Sequence, residues 1–170
     1  KLVNRFTVVR RLLEKVYKKT DCSPDSYRNL RKLFVSNGNK SDFGRKERIE
    51  LLKRFDEISK NLPTSSKPSN SLFFSEAYIN LTTKGDIVEC GCFAGADTAK
   101  LSILASHYGT TLHIFDSFEG LKSPDLYDKR DYHMRQSSEW VTDWTAGRYS
   151  SDLETTKDNV TKYGEINSCV

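Results

Sequence analysis

Apolar residues recur at helical spacing through the first third of the chain and then give way to short continuous runs. Over residues 4–19, Phe6, Val9, Leu13 and Val16 fall on one face of a helix. A second helix is expected after Ser23-Pro24, with Tyr27, Leu30, Leu33 and Phe34 inward, ending near Gly38. A third runs from about Arg45 to Asn61, where Leu51, Phe55, Ile58 and Leu62 repeat at the same spacing. Residues 63–70, PTSSKPSN, read as a linker, since Pro, Ser and Asn leave little to bury and the prolines break helix. The next helix, about Ser71 to Leu81, places Phe74, Ala77, Tyr78 and Leu81 on one face.

The period then changes. Ile87-Val88-Glu89-Cys90 reads as a short buried strand, residues 95–107 as a helix, and Thr110 to Phe115 as a second strand ending at Asp116. Strand, helix and strand over about 30 residues make a βαβ unit with parallel strands. The polar and aromatic stretch 121–150 reads as a long irregular loop, of a length that is usually functional or mobile. After it, Ser151-x-x-Glu154 has the form of a capping box, opening a helix faced by Leu153, Thr156, Val160 and Tyr163, with Gly164 as its stop. Cys169-Val170 look like the start of a third strand. The organisation expected is a helical N-terminal extension over 1–62 and an α/β unit over 71–170.

Composition narrows the function classes. Of 170 residues, 36% are hydrophobic and 29% charged, a globular balance without a disorder signature. No apolar run is long enough for a membrane span or a signal-peptide core. The chain opens on Lys1 rather than Met, as expected of a piece or a processed product of a longer protein. Charge is uneven: residues 1–61 carry net +9 and residues 62–170 net −5. The basic excess sits on amphipathic helices and reads as a solvated face. An anionic partner is the sharper alternative, but the aromatic-and-basic interleaving of nucleic-acid modules is missing. Cys22, Cys90, Cys92 and Cys169 fit neither a zinc site nor a disulfide framework, and are expected to be reduced, partly buried residues of a cytoplasmic protein.

The chemistry is concentrated in Glu89-Cys90-Gly91-Cys92-Phe93-Ala94-Gly95, between the first strand and its helix. Gly91 permits a sharp turn, and Gly95 is expected to let the helix N-terminus, with its free N–H groups, approach a ligand. Asp116 follows Gly95 by 21 residues, where a carboxylate can accept hydrogen bonds from both hydroxyls of a ribose. These parts describe a pocket for an adenosine-containing ligand. A nicotinamide dinucleotide is disfavoured, because Phe93 replaces the middle glycine of G-x-G-x-x-G. An acid at Glu89 and a looser glycine pattern suit the sulfonium and ammonium of S-adenosylmethionine better.

Residues 85–121, GDIVECGCFAGADTAKLSILASHYGTTLHIFDSFEGL, resemble the macrocin O-methyltransferase (TylF-type) family of class I methyltransferases, and LETTKDNVTKYG over 153–164 resembles that family's next helix. The likeness covers about residues 71–170; residues 1–60 resemble no family. It implies a Rossmann-like fold cut short after its first strands, with S-adenosylmethionine as cofactor. Glu89, Gly91, Phe93 and Gly95 would line the methionine side, Asp116 would hold the ribose, and Ser117 and Phe118 would lie near the adenine. Lys122 stands where the family usually has Pro, and Ala96-Asp97 where a second glycine is common. The resemblance further implies O-methyl transfer to a small-molecule hydroxyl and a divalent metal bound by residues missing from this chain. Such a fragment would not catalyse alone, and its open parallel edge calls for self-association or a longer parent chain. The alternative is a non-catalytic, methyltransferase-like binding module working through its basic helices.

Other polar and aromatic residues read as structural. His107 suits a helix C-terminus, and His113 a satisfied position in the second strand. His133 is weighed as a general base, and Tyr127, Tyr132, Trp140, Trp144 and Tyr149 as an aromatic lid. Asp125, Asp128 and Asp131 miss the calcium-loop pattern and read as a solvated turn.

Overall fold

A computed structural model describes residues 24–40, 43–123 and 145–170. The expected helix over 4–19, Cys22, His133, the aspartates at 125, 128 and 131, and four of the five lid aromatics (Tyr127, Tyr132, Trp140, Trp144) lie outside these residues. The described chain is a mixed α/β structure. Its helices are α1 (Pro24–Asn37), α2 (Arg45–Asn61), α3 (Pro68–Ile79), α4 (Ala96–Tyr108) and α5 (Leu153–Tyr163). Its strands are β1 (Ile87–Cys90) and β2 (Leu112–Phe115), which pair in parallel with Ile87 opposite Leu112 and Cys90 opposite Phe115.

The third strand begins where the sequence suggests. Cys169 bridges Leu112 in parallel, Val170 N donates to Leu112 O at 3.0 Å, and Ile114 N donates to Val170 O at 2.9 Å. The order across the sheet is therefore the 169–170 segment, β2, then β1. Among the described residues, no strand pairs with the far edge of β1. The sheet is also covered on one face only. Ile87 and Leu112 point into the core, while Val88 (61% exposed), Phe115 (61%) and Val170 (69%) share the opposite face with Cys90 and His113.

One hydrophobic cluster joins all layers, from Leu30 and Phe34 on α1 through Leu51, Phe55 and Ile58 on α2 to Leu104 on α4 and Leu112 on β2. The helices called N-terminal extension thus share a core with the sheet layer. Arg48 sits in that core fully buried, because it is hydrogen-bonded to the carbonyls of Phe43 (3.0 Å) and Phe34 (2.9 Å) and paired with Glu76.

Several expectations need correction. Leu33 lies off the buried stripe of α1 and is exposed. Helix α3 starts at Pro68, so the second proline of the linker opens a helix rather than breaking one, as proline at a first helical position can. Its inward face is Ser71, Leu72, Ser75, Tyr78 and Ile79, leaving Phe74 and Leu81 exposed. The serines go inside because they are small and find acceptors: Ser75 Oγ donates to Ser71 O at 2.6 Å and Ser71 Oγ to Asp97 Oδ1 at 3.0 Å. Helix α5 is capped by Asp152, not Ser151. The Asp152 carboxylate accepts from Thr155 N at 2.8 Å and Thr155 Oγ1 at 2.6 Å, while Glu154 pairs with Lys157.

Candidate functional site

The loop after β1 turns the chain through backbone that few side chains tolerate. Gly91 (φ +89°) and Gly95 (φ +82°) are left-handed, and so is Phe93 (φ +48°) between them. Two more aromatic residues, Phe118 (φ +58°) and Tyr149 (φ +60°), share that conformation. Such backbone costs about 1–3 kcal/mol per residue and concentrates where a site is being shaped. The Phe93 ring meets Tyr149 edge-on, centroids 5.5 Å apart.

The two glycines sit in different surroundings. A Cβ on Gly91 would meet nothing within 4 Å, so this residue presents bare backbone to open space. A Cβ on Gly95 would lie 3.2 Å from both Thr156 Cγ2 and Val160 Cγ2. Gly95 therefore also serves the packing of α4 against α5. Helix α5 holds the loop at two more points: Thr156 Oγ1 donates to Phe93 O at 3.0 Å, and Asn159 Nδ2 to Ala94 O at 2.9 Å.

A cavity of about 310 Å³ opens against this loop. Glu89, Gly91, Cys92 and Phe93 line it from the strand side, Ala96 and Asp97 from α4, Thr64 from the segment leading into α3, and Ser71 from α3 itself. Gly95, Asp116, Ser117 and Phe118 are not among its lining residues. Asp116 instead ties two loops together: Oδ2 accepts from Cys92 N (2.6 Å) and Phe93 N (3.3 Å), and Oδ1 from Phe118 N (2.7 Å). Partial burial pushes its carboxyl up, but the N–H groups of Phe118, Cys92 and Phe93 and the Cys92 thiol outweigh it and hold Asp116 below the usual carboxylate range. Ser117 is exposed, its hydroxyl accepting from Glu119 N at 3.3 Å.

The carboxylates at the cavity differ in what they have left to offer. Asp97, not counted among the candidate contacts from sequence, is already engaged by Ser71 Oγ (3.0 Å) and Lys100 Nζ (3.2 Å), with Thr64 Oγ1 at 3.5 Å. Its position in the first helical turn was the one available signal, an acid placed where the helix dipole favours it. Glu89 accepts a single hydrogen bond, from Thr98 Oγ1 at 2.7 Å. Burial pushes its carboxyl up to about 7, the Thr98 hydroxyl works against this, and the nearby charges of Asp97 and Asp116 add to it. Among the described residues, Glu89 is thus a half-buried acid without a cation.

The remaining residues fall into place around this arrangement. Cys90 is exposed, contrary to expectation, because the face it points to is bare; Cys92 is buried and Cys169 half-buried, and all three are free thiols. Burial, then the hydrogen bond to Asp116, pushes the Cys92 thiol up to about 12, so it stays protonated. His107 lies in the last turn of α4, edge-on to Phe43 at 4.6 Å, and His113 Nε2 lies 3.2 Å from Asp86 Oδ2. Among the described residues there is no cluster of three His, Cys, Asp or Glu able to hold a metal, and no helix long and apolar enough to cross a membrane. No protein-family model, curated protein or solved structure matches this chain.

Proposed function

We propose that this chain carries the cofactor-binding part of a Rossmann-like, S-adenosylmethionine-dependent methyltransferase that modifies a hydroxyl of a small molecule. The observation that carries the reading is Glu89: a half-buried carboxylate with one hydrogen-bond partner and no cation among the described residues, lining a cavity beside a glycine backbone with free space above it. An acid of this kind gains most from a cationic ligand. The order of strand, glycine loop, helix and strand around it suits an adenosine carrier.

The residues present fit that cofactor, which when bound supplies an electrophilic methyl group. Glu89 would accept from the ammonium of its methionine portion, and Gly91 would let that portion pass close to the backbone. Asp116, ionised and pre-oriented by three N–H donors, retains acceptor capacity on Oδ1 for a ribose hydroxyl. Phe93 would line the methionine side with Glu89 and Gly91, and Phe118 would lie near the adenine. Deprotonation of the acceptor hydroxyl, by a base or a divalent metal, is work for residues other than these. Free thiols at Cys90, Cys92 and Cys169 accord with a cytoplasmic protein.

Calorimetric titration with S-adenosylhomocysteine tests the reading. Saturable binding is expected, with none for NAD and at least tenfold weaker binding in Glu89→Gln. Failure of the folded chain to bind S-adenosylhomocysteine, or equal binding of NAD, overturns it.

A further inference from the structure

The cavity has a second chemical character away from Glu89. Pro63, Thr64, Ser65 and Ser66 line it from the segment between α2 and α3, which carries Lys67 and no acid. So polar a stretch has little apolar surface to hold it in place. Leu62, buried just after α2, and Ser71, buried in α3, anchor its two sides, and one carboxylate fixes what lies between. Asp97 Oδ1 accepts from Ser71 Oγ at 3.0 Å, and Asp97 Oδ2 accepts a longer bond from Thr64 Oγ1 at 3.5 Å. Thr64 Oγ1 in turn accepts from Ser66 N at 3.1 Å. Lys100, only 2% exposed, pairs with the same carboxylate at 3.2 Å and offsets its charge. One acid of α4 therefore gathers Ser71, Thr64 and, through Thr64, the backbone of Ser66.

We infer that Asp97 is a positioning residue, which holds Thr64, Ser65 and Ser66 as a wall that receives the carboxylate of an α-amino acid. The inference rests on the cofactor reading above and assigns the one charged group of that cofactor still without a partner. The amino-acid end of such a ligand is a zwitterion. Its ammonium is drawn to the acidic side of the cavity, and its carboxylate is repelled from the same side. The 63–66 stretch is lining of the opposite kind, with hydroxyl donors and no negative charge. A carboxylate accepts several bonds at once and gains most from donors fixed before it arrives. Asp97 does not touch the ligand in this role, because Ser71, Thr64 and Lys100 already occupy its oxygens. The N-terminal helices thus contribute to the pocket through the loop that joins α2 to α3, as well as to the core.

The test is calorimetric titration of the whole chain with two ligands, S-adenosylhomocysteine and its decarboxylated analogue, which keeps the ammonium. Wild type should bind S-adenosylhomocysteine about tenfold more tightly than the analogue. Thr64→Val removes the hydroxyl that links Asp97 to Ser66. Asp97→Ala combined with Lys100→Met removes the whole tie without leaving a buried cation unpaired. In both proteins, folded by circular dichroism, the preference should fall below threefold while the analogue binds within threefold of wild type. Ser65→Ala combined with Ser66→Ala, which keeps the tie and removes donors, should do the same, and it decides the matter if the Asp97 variant does not fold. Equal binding of the two ligands by wild type overturns the inference and leaves the cofactor reading standing. So does a full preference retained in Thr64→Val and in the serine variant, or an equal loss of both ligands in every variant, which is the mark of a merely structural role. Failure of wild type to bind either ligand overturns the cofactor reading and this inference with it.

Discussion

Glu89→Gln isolates the cost of partly desolvating a carboxylate that has no cation among the described residues. Glutamine keeps the size of the side chain and an oxygen to accept from Thr98, so the variant differs mainly in charge. In the folded chain the Glu89 carboxyl titrates at about 7, against about 4.5 for an ordinary glutamate. Between these values the folded state holds a proton that the unfolded state has released. Its contribution to stability is therefore complete below pH 4.5 and is lost as pH rises through 7. The displacement is worth up to ~3 kcal/mol at ~1.4 kcal/mol per pH unit. Wild type should lose most of this between pH 5 and pH 8 relative to the variant. With a urea dependence of roughly 1–3 kcal/mol per molar for a small domain, the midpoint difference between the two proteins should move by about 1–2 M. Urea titrations of both proteins by circular dichroism at the two pH values measure it, and titrations common to both cancel in the comparison. Binding should mirror stability: S-adenosylhomocysteine should bind wild type more tightly as pH rises toward 7 and then level off, whereas the variant should show no such slope. A stability difference that stays constant within about 0.5 kcal/mol from pH 5 to pH 8 would refute the reasoning, because Glu89 would then not be a partly desolvated acid awaiting a cation.

Gly95→Ala should destabilise the protein by about 1–3 kcal/mol in urea unfolding, since alanine is strained at φ +82° and its Cβ would press on Thr156 and Val160. Asp116→Ala should free the Cys92 and Phe93 amides, raising their hydrogen-exchange rates at least tenfold while Ile114 is unaffected, because three backbone donors lose one acceptor. Arg48→Ala should cost about 3–5 kcal/mol, leaving Glu76 and two carbonyls without their buried partner, and Arg48→Met should cost less than Arg48→Ala.

The bounds of helix α2 were legible, because Leu51, Phe55 and Ile58 are large and apolar and repeat at helical spacing; the burial of Arg48 among them was not. Helix α3 was not legible, because two of the five residues on its inward face are serines. A hydrophobic period cannot register small polar side chains that go inside by bonding to Ser71 O and to Asp97. Phe74 misled for the complementary reason: it is apolar yet lines a groove. The strands, their parallel pairing and the opening of a third were visible in the runs of β-branched and aromatic residues. In the site, the turn at Gly91 and Gly95 was legible, since both take a positive φ between a strand and a helix. The packing of Gly95 on Thr156 and Val160 was not, because it depends on the position of α5, which is remote in sequence. Asp116 kept its place, but its three backbone partners depend on how two loops meet, which local spacing does not specify.

Helix α5 supplies the hydroxyl of Thr156 and the amide of Asn159 that fix the carbonyls of Phe93 and Ala94, some 60 residues earlier in the chain. The glycine loop is therefore local in sequence but not in assembly. As synthesis proceeds from the N-terminus, β1, the loop and α4 emerge first, and the carbonyls of Phe93 and Ala94 wait for these partners until α5 arrives and docks on Gly95. Closing so long a stretch of chain before any of these bonds can form makes the loop one of the last parts of the molecule to take its final form.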